Sequence, residues 1–194
     1  MAGGTSQVSS KTMALCSVAE LGPEALALAR PDLHPQDYIN LLLEKKLFPD
    51  AVRFVAHALP KREAVWWGWV CARRAAGDNA PPKIKAALEA TEKWIAQPTE
   101  EHRRAAMTAA NQADVGTSAG CAGLAAFFSG GSLAPPEAPV VPPGEYLTAK
   151  AVSGAVIFAA VSQEPEKAPE KFKSFVAQGV DVTNRIKLWE PKQS

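Results

Sequence analysis

Apolar residues recur along most of the chain with the period of α-helices. Between the prolines and glycines, apolar side chains return every three or four residues, and this spacing places them on one face of a helix. The segment after His34 is a clear case, with its apolar set at Tyr38, Ile39, Leu41 and Leu42. Runs of β-branched residues, which are typical of strands, are rare. We therefore predict an all-α fold of about seven to nine helices.

Prolines, glycines and capping residues divide this pattern into segments. Proline is favoured in the first turn of a helix, whereas glycine and proline end one. On this basis we predict a helical turn at 18–21 and helices at 23–29, 35–46, 49–59, 60–74, 82–97, 100–113, 119–128, 145–162 and 169–189. Residues 1–11, rich in glycine, serine and threonine, are expected to form a flexible tail. Residues 12–190 are expected to form a single domain, either a multi-helix bundle or stacked helical hairpins.

The densest aromatic region lies in residues 57–74. Three of the five tryptophans fall within four residues there, directly after a Pro-Lys-Arg-Glu turn. As a helix, this stretch is apolar around most of its circumference, which is typical of a central helix. The indoles are therefore either core residues, or one of them lines a pocket or interface with Arg62 and Glu63. The second interpretation has support because tryptophan and arginine are enriched at binding hot spots.

Residues 129–144 form a second unusual region, with five prolines in nine residues. This density excludes a helix and favours an extended, polyproline-like path. Because the segment also contains Leu133, Val140 and Val141, we expect it to lie on the helical body, with 133–143 crossing the tryptophan helix. The Ser-Gly-Gly-Ser sequence that begins it is interpreted as a helix C-cap, with Gly130 at positive φ.

These two regions define the predicted function, which is a non-enzymatic protein-binding or adaptor protein. Its partner is expected to be another protein, bound by the exposed members of both regions. The candidate partner-binding residues are His57, Lys61, Arg62, Glu63, Trp66, Trp67, Trp69, Leu133, Pro135 and Pro136.

The charge balance argues against nucleic acid and membrane surfaces as partners. Lysine and arginine number 21 and aspartate and glutamate 20, so no overall field attracts a polyanion. A single-stranded nucleic-acid platform remains an alternative, because cationic residues flank stackable indoles. Its basic residues would be Lys61, Arg62, Arg73 and Arg74.

Cofactor and metal chemistry has little support in the sequence. The histidines are isolated and the three cysteines widely spaced, so no metal-ligand spacing occurs. We predict no cofactor, no metal and no catalytic residue, and we expect buried, reduced thiols in a cytoplasmic protein. The remaining alternative is an enzyme of unfamiliar type that uses a cluster of His57, Arg62 and Glu63.

Three strings carry a resemblance to a known family. They are Asp50-Ala-Val-Arg-Phe, Leu59-Pro-Lys-Arg-Glu-Ala-Val-Trp-Trp67 and Phe128-Ser-Gly-Gly-Ser-Leu-Ala-Pro-Pro136. The combination resembles an uncharacterised bacterial family of small helical proteins associated with gene clusters of contractile (type VI) secretion systems. The resemblance implies an accessory role in such a system and assigns no catalytic residues.

Overall fold

The computed structural model confirms the all-α prediction. It describes residues 3–190, with side chains from residue 11 onward. Within this part of the chain there are ten α-helices, a 3-10 turn at Pro165–Lys167 and no strand. The helices are α1 (Gly3–Val18), α2 (Pro23–Leu28), α3 (Pro35–Glu44), α4 (Phe48–Ala58), α5 (Lys61–Ala76), α6 (Pro82–Ala96), α7 (Glu100–Ala113), α8 (Ser118–Phe127), α9 (Leu147–Val161) and α10 (Ala168–Arg185).

The chain divides into two compact units. Unit 1 contains α1–α4 and, from Pro169 onward, α10, whereas unit 2 contains α5–α9 in residues 60–168. The prediction of a single domain over 12–190 stays a prediction. None of the described helices is both long and apolar enough to cross a membrane.

In unit 1 the core is built on the predicted apolar stripe of α3. Tyr38 is fully buried; its ring meets Phe54 edge-on at 5.0 Å and its hydroxyl donates to the carbonyl of Ala25 at 2.7 Å. Phe48 of α4 stacks on Phe172 of α10 at a ring distance of 5.5 Å. These contacts connect α3 with α2 and α4, and α4 with α10. The aromatic side chains that form them bury large apolar areas.

The N-terminal region differs from its prediction. The backbone is helical from Gly3, where a tail was expected over 1–11; residues 1 and 2 lie outside the described part. Thr12 supplies the physical reason, because it is fully buried and its hydroxyl donates to the carbonyl of Leu33 at 2.7 Å. Once a helix is anchored there, each further residue adds one backbone hydrogen bond, so the helix extends with little additional loss of conformational entropy. The helical turn expected at 18–21 is also corrected, since α1 ends at Val18.

In unit 2 small residues bring the helices close together. A β-carbon added to Gly68 of α5 would lie 3.5 Å from the β-carbon of Ala155 in α9. One added to Gly123 of α8 would lie 2.9 Å from the carbonyl oxygen of Ala106 in α7. Side-chain volume at these positions sets the distance between the helix backbones. The lack of a side chain at Gly68 and Gly123 therefore lets α5 lie close to α9 and α8 lie close to α7.

Side-chain caps form at the starts of α3, α7 and α8. Thr99 caps α7 by accepting a hydrogen bond from the His102 amide at 3.2 Å, and α7 begins and ends where predicted. The last helix ends four residues before the predicted end at 189, because Lys187 has a positive φ of 53°. The chain then turns back, and the indole N–H of Trp189 donates to the hydroxyl of Thr183 at 3.1 Å.

Candidate partner-binding surfaces

The structure brings three of the predicted site residues together at one surface of unit 2. Arg62 and Glu63 in the first turn of α5 and Trp66 one turn later line an open cavity of about 230 Å³. Ile95, near the C-terminal end of α6, forms its remaining wall. We call this set the Trp66 cluster. It combines an indole, an aliphatic side chain and both signs of charge within one small surface.

Arg62 holds a fixed position in the Trp66 cluster. Its Nε and Nη2 atoms donate to the carbonyl of Ile95 at 2.8 and 2.6 Å, and Nη2 also reaches the carbonyl of Ala96 at 3.3 Å. Carbonyls in the last turn of a helix lack intrahelical donors, and a cation there also interacts favourably with the helix dipole. The exposed guanidinium is therefore held beside the indole.

The three neighbouring indoles have different environments. Trp66 is partly exposed, whereas Trp67 is completely buried and Trp69 is 9 % exposed. The indole N–H of Trp69 donates to the carbonyl of Leu88 at 2.9 Å. Trp67 is thus a core residue, which corrects its assignment to the partner-binding surface, whereas Trp69 is largely buried but lines a second cavity. The reason is that α5 packs on neighbouring helices over most of its circumference.

A second cavity, of about 270 Å³, lies beside Trp69. Arg73 lies over the Trp69 ring with its guanidinium carbon 5.3 Å from the centroid, and its Nη1 atom is 3.9 Å from a carboxylate oxygen of Glu92. The lining is of mixed charge and consists of Trp69, Arg73, Gly77, Asp78, Ala80, Lys85, Leu88, Glu89 and Glu92.

Lys61 and His57 are not among the residues of the Trp66 cluster. Lys61 is exposed at the first position of α5. His57 belongs to α4 in unit 1, whereas Arg62 and Glu63 belong to unit 2. The Nδ1 atom of His57 is 2.8 Å from the carbonyl oxygen of Arg53, one turn earlier in the same helix.

The proline-rich segment forms a loop that closes on itself. The Leu133 amide donates to the carbonyl of Val141 at 2.8 Å, and the Val141 amide donates to the hydroxyl of Ser132 at 3.0 Å. The same hydroxyl accepts from the Ala134 amide at 3.1 Å, and the Ala138 amide closes a turn onto the carbonyl of Pro135. We call residues 132–143 the proline loop. Leu133 is partly buried in it, whereas Pro135 and Pro136 are exposed.

Two arginines of α7 fix the proline loop. Arg103 donates to the carbonyl of Ser132 at 2.8 Å, and Arg104 to the carbonyl of Ala134 at 3.0 Å. The expectation that residues 133–143 cross the tryptophan helix is corrected by these contacts with α7. The guanidinium groups supply the donors that the carbonyls of a proline-rich chain need.

Arg103 is the principal residue that sequence reasoning missed. It is only 3 % exposed; its Nε and Nη2 atoms form a two-pronged ion pair with Glu100 at 2.6 and 2.8 Å. Its Nη1 atom donates to the carbonyl of Phe127, and its guanidinium carbon lies 4.4 Å from the Phe127 ring centroid. Hydrogen bonding from Arg103 lowers the pKa of Glu100 below its ordinary value. The available signal was the spacing of Glu100, Arg103 and Arg104 on one helical face.

The turn before the proline loop uses a different glycine from the one expected. Gly131 has a φ of +65°, whereas positive φ was expected at Gly130. Gly131 lies directly against the Arg103 guanidinium, and its conformation allows the loop to pass over it. Both the positive φ of the turn and the close contact with Arg103 therefore favour glycine at position 131.

The cysteines are buried, as predicted. Burial raises the pKa of Cys16 and of Cys71, and it raises that of Cys121 to about 11. A thiol with a raised pKa is a poor nucleophile at neutral pH. In the part of the chain that the structure describes, no group of three or more histidine, cysteine and acidic side chains could hold a metal ion.

Comparison with known proteins yields a family of unknown function. The model of DUF6931, described as a family of unknown function, matches residues 38–183. The match agrees with the resemblance to an uncharacterised family, whereas the bacterial and secretion-system associations remain predictions. No curated protein and no solved structure matches the chain.

Proposed function

Because the chain belongs to DUF6931, whose function is unknown, we propose from its own geometry that it is a protein-binding or adaptor protein. The Trp66 cluster is the observation that carries the proposal. It presents a partly exposed indole, an exposed guanidinium and a carboxylate around one open cavity. Tryptophan and arginine are the residue types enriched at binding hot spots.

The fixed position of Arg62 favours recognition of a partner. An arginine side chain that is mobile before binding loses conformational entropy when it binds. This loss weakens the binding free energy by about 0.5–1.5 kcal/mol for each immobilised side chain. Arg62 already holds one position through the carbonyls of Ile95 and Ala96. Its flat guanidinium and the Trp66 indole therefore form a prearranged surface for a partner's aromatic or carboxylate side chains.

The resemblance adds two further parts to the proposal. It implies that the partner belongs to a bacterial contractile secretion system, for which the protein would serve as an accessory. A cytoplasmic location, predicted from the sequence, belongs with it. The enzyme and nucleic-acid alternatives stay predictions.

Affinity purification of the tagged full chain from its native cell tests the proposal. We expect a stoichiometric protein partner, and we expect Glu63→Lys to lose it because the variant reverses a charge at the cavity without removing core packing. Val161→Ala is the matched control, since Val161 is an exposed apolar residue of unit 2 outside the cavity lining. Recovery of no stoichiometric partner, or equal recovery with Glu63→Lys, would contradict the proposal.

A further inference from the structure

The proline loop presents its apolar side chains to solvent. Val140 is 76 % exposed, more than any other large apolar side chain in the described residues, and Val141 is 49 % exposed. Pro139 and Pro142 are exposed on either side of them. An apolar surface of this kind gains free energy when a partner covers it.

The sequence of this surface has the period of a polyproline II helix. Pro139 and Pro142 are three residues apart, and a polyproline II helix has three residues per turn, so such residues share an edge. No helix or strand is assigned at 139–143. Protein domains that bind Pro-x-x-Pro segments read this edge with aromatic-lined grooves.

The structure also shows how the loop is held ready for binding. The Ser132 hydroxyl and the Leu133 amide join its two ends at Val141, and Arg104 fixes it to α7 through Ala134. A segment already ordered loses less conformational entropy on binding than a free chain does. The loop therefore has both features of a good extended ligand, exposed prolines and a fixed backbone.

The charges near the loop specify the rim of the partner's groove. The exposed residues Glu137 and Glu145 flank the segment 139–143 on its two sides. Opposite charges across an interface favour the encounter and suppress wrong partners. A groove with basic side chains at its rim is therefore complementary to this loop.

We propose that the proline loop is a ligand for a partner protein whose aromatic-lined groove, with a basic rim, binds residues 139–143 in the polyproline II conformation. The proposal adds a second, separate binding surface to the Trp66 cluster. This proposal can be tested independently of the proposed function, because the variants that test it change residues of the proline loop alone.

The test measures binding of the full chain to purified SH3, WW and EVH1 domains that have basic groove rims. We expect one of these classes to bind, and Pro142→Ala to weaken that binding about tenfold or more, because Pro142 lies on the edge that the groove covers. Pro136→Ala is the matched control, since Pro136 is an exposed proline of the same loop that lies outside residues 139–143. Glu63→Lys should leave this binding unchanged, which separates it from the proposed function.

A second variant tests the fixed backbone. Ser132→Ala removes the hydroxyl that closes the loop and leaves residues 139–143 unaltered; we expect roughly threefold to tenfold weaker binding, with Ser132→Thr restoring it. Wild-type binding no stronger than that of Pro142→Ala, for every domain tested, would overturn the proposal. Self-association that depends on Pro142 would also overturn it, because the loop would then join copies of this chain.

Discussion

The guanidinium of Arg103 lies directly against Gly131, where a β-carbon on the glycine would be 2.8 Å from Nε. Side chains essentially never approach so closely, and Gly131 also has a φ of +65°. Two separate demands therefore fall on one glycine. One comes from the backbone conformation and the other from a buried side chain of another helix.

Gly131→Ala should destabilise unit 2 by about 2–5 kcal/mol. About 1–2 kcal/mol comes from placing a β-carbon on left-handed backbone. The rest comes from displacing Arg103 from its acceptors at Phe127 and Ser132, since a buried polar group that loses its partner raises the free energy of the fold by roughly 1–3 kcal/mol. Urea unfolding followed by circular dichroism measures the change.

Two other glycines serve as comparisons. Gly77 has the same φ of +65°, with a ψ of −175°, and nothing near its added β-carbon, whereas Gly130 has neither constraint. We expect Gly77→Ala to lose about 1–3 kcal/mol, because this backbone region is essentially limited to glycine, and Gly130→Ala to change stability by no more than about 0.5 kcal/mol. A loss of less than about 2 kcal/mol at Gly131 would show that the Arg103 contact contributes nothing.

Replacement of Arg103 should have a larger effect than replacement of its neighbour Arg104. Arg103→Met leaves the carbonyls of Phe127 and Ser132 without their donor, and each buried polar group that loses its partner destabilises the fold by roughly 1–3 kcal/mol. Arg104 is partly exposed, and we expect Arg104→Met to lose about 1 kcal/mol or less. Arg103→Lys should remain destabilised, because a single ammonium cannot reproduce the forked donor geometry. Chemical denaturation of the three variants measures this, and wild-type stability in Arg103→Lys would contradict it.

The ion pair of Glu100 should make stability depend on pH. The pKa of Glu100 is lowered from 4.5, mainly by hydrogen bonding from Arg103. The carboxylate therefore stabilises the fold at pH values above 4.5, and this contribution is lost as the pH falls through the lowered pKa. The stability difference between wild type and Glu100→Gln should be largest near neutral pH and shrink in acid. A difference that stays constant or grows on acidification would contradict the assignment.

The sequence predicted those features of the fold that depend on neighbours along the chain. The Thr99 cap with its acidic first turn located the start of α7, and the period of α3 identified Tyr38 as a core residue. Glu63 and Trp66 line the same cavity because they are one turn apart on a helix. Local spacing carries this information, so one sequence suffices to read it.

The sequence did not reveal contacts between distant segments. Arg103 binds the carbonyls of Phe127 and Ser132, which are 24 and 29 residues away. Backbone carbonyls look alike in every sequence, so nothing in the residue types marks them as acceptors. For the same reason the proline loop was expected on indoles, the best apolar partners by composition, whereas hydrogen bonds from α7 decide its position.

Substitutions at two helical glycines should have opposite outcomes. Gly123→Ala would bring a β-carbon to 2.9 Å from both the Ala106 oxygen and the Ala110 β-carbon; because these atoms belong to α7, the helices must separate, at an expense of about 1–3 kcal/mol. At Gly68 the contacts would be an ordinary 3.5 Å. Gly68→Ala should therefore be neutral or stabilising by up to about 1 kcal/mol through helix propensity. Thermal unfolding of both variants tests this, and a destabilised Gly68→Ala would contradict it.

The adjacent indoles Trp66 and Trp67 should separate binding from stability. Trp67 is completely buried, so Trp67→Ala should lose about 3–5 kcal/mol, as large aromatic truncations in cores do. Trp66 is partly exposed and contacts the core with one side; we expect Trp66→Ala to lose less than about 2 kcal/mol and to remain folded. If the Trp66 cluster binds the partner, Trp66→Ala should lose the copurifying protein under conditions where circular dichroism shows an intact helical fold. Partner retention by folded Trp66→Ala would remove the indole from the proposed surface, and similar stability losses for both variants would show that exposure does not distinguish them.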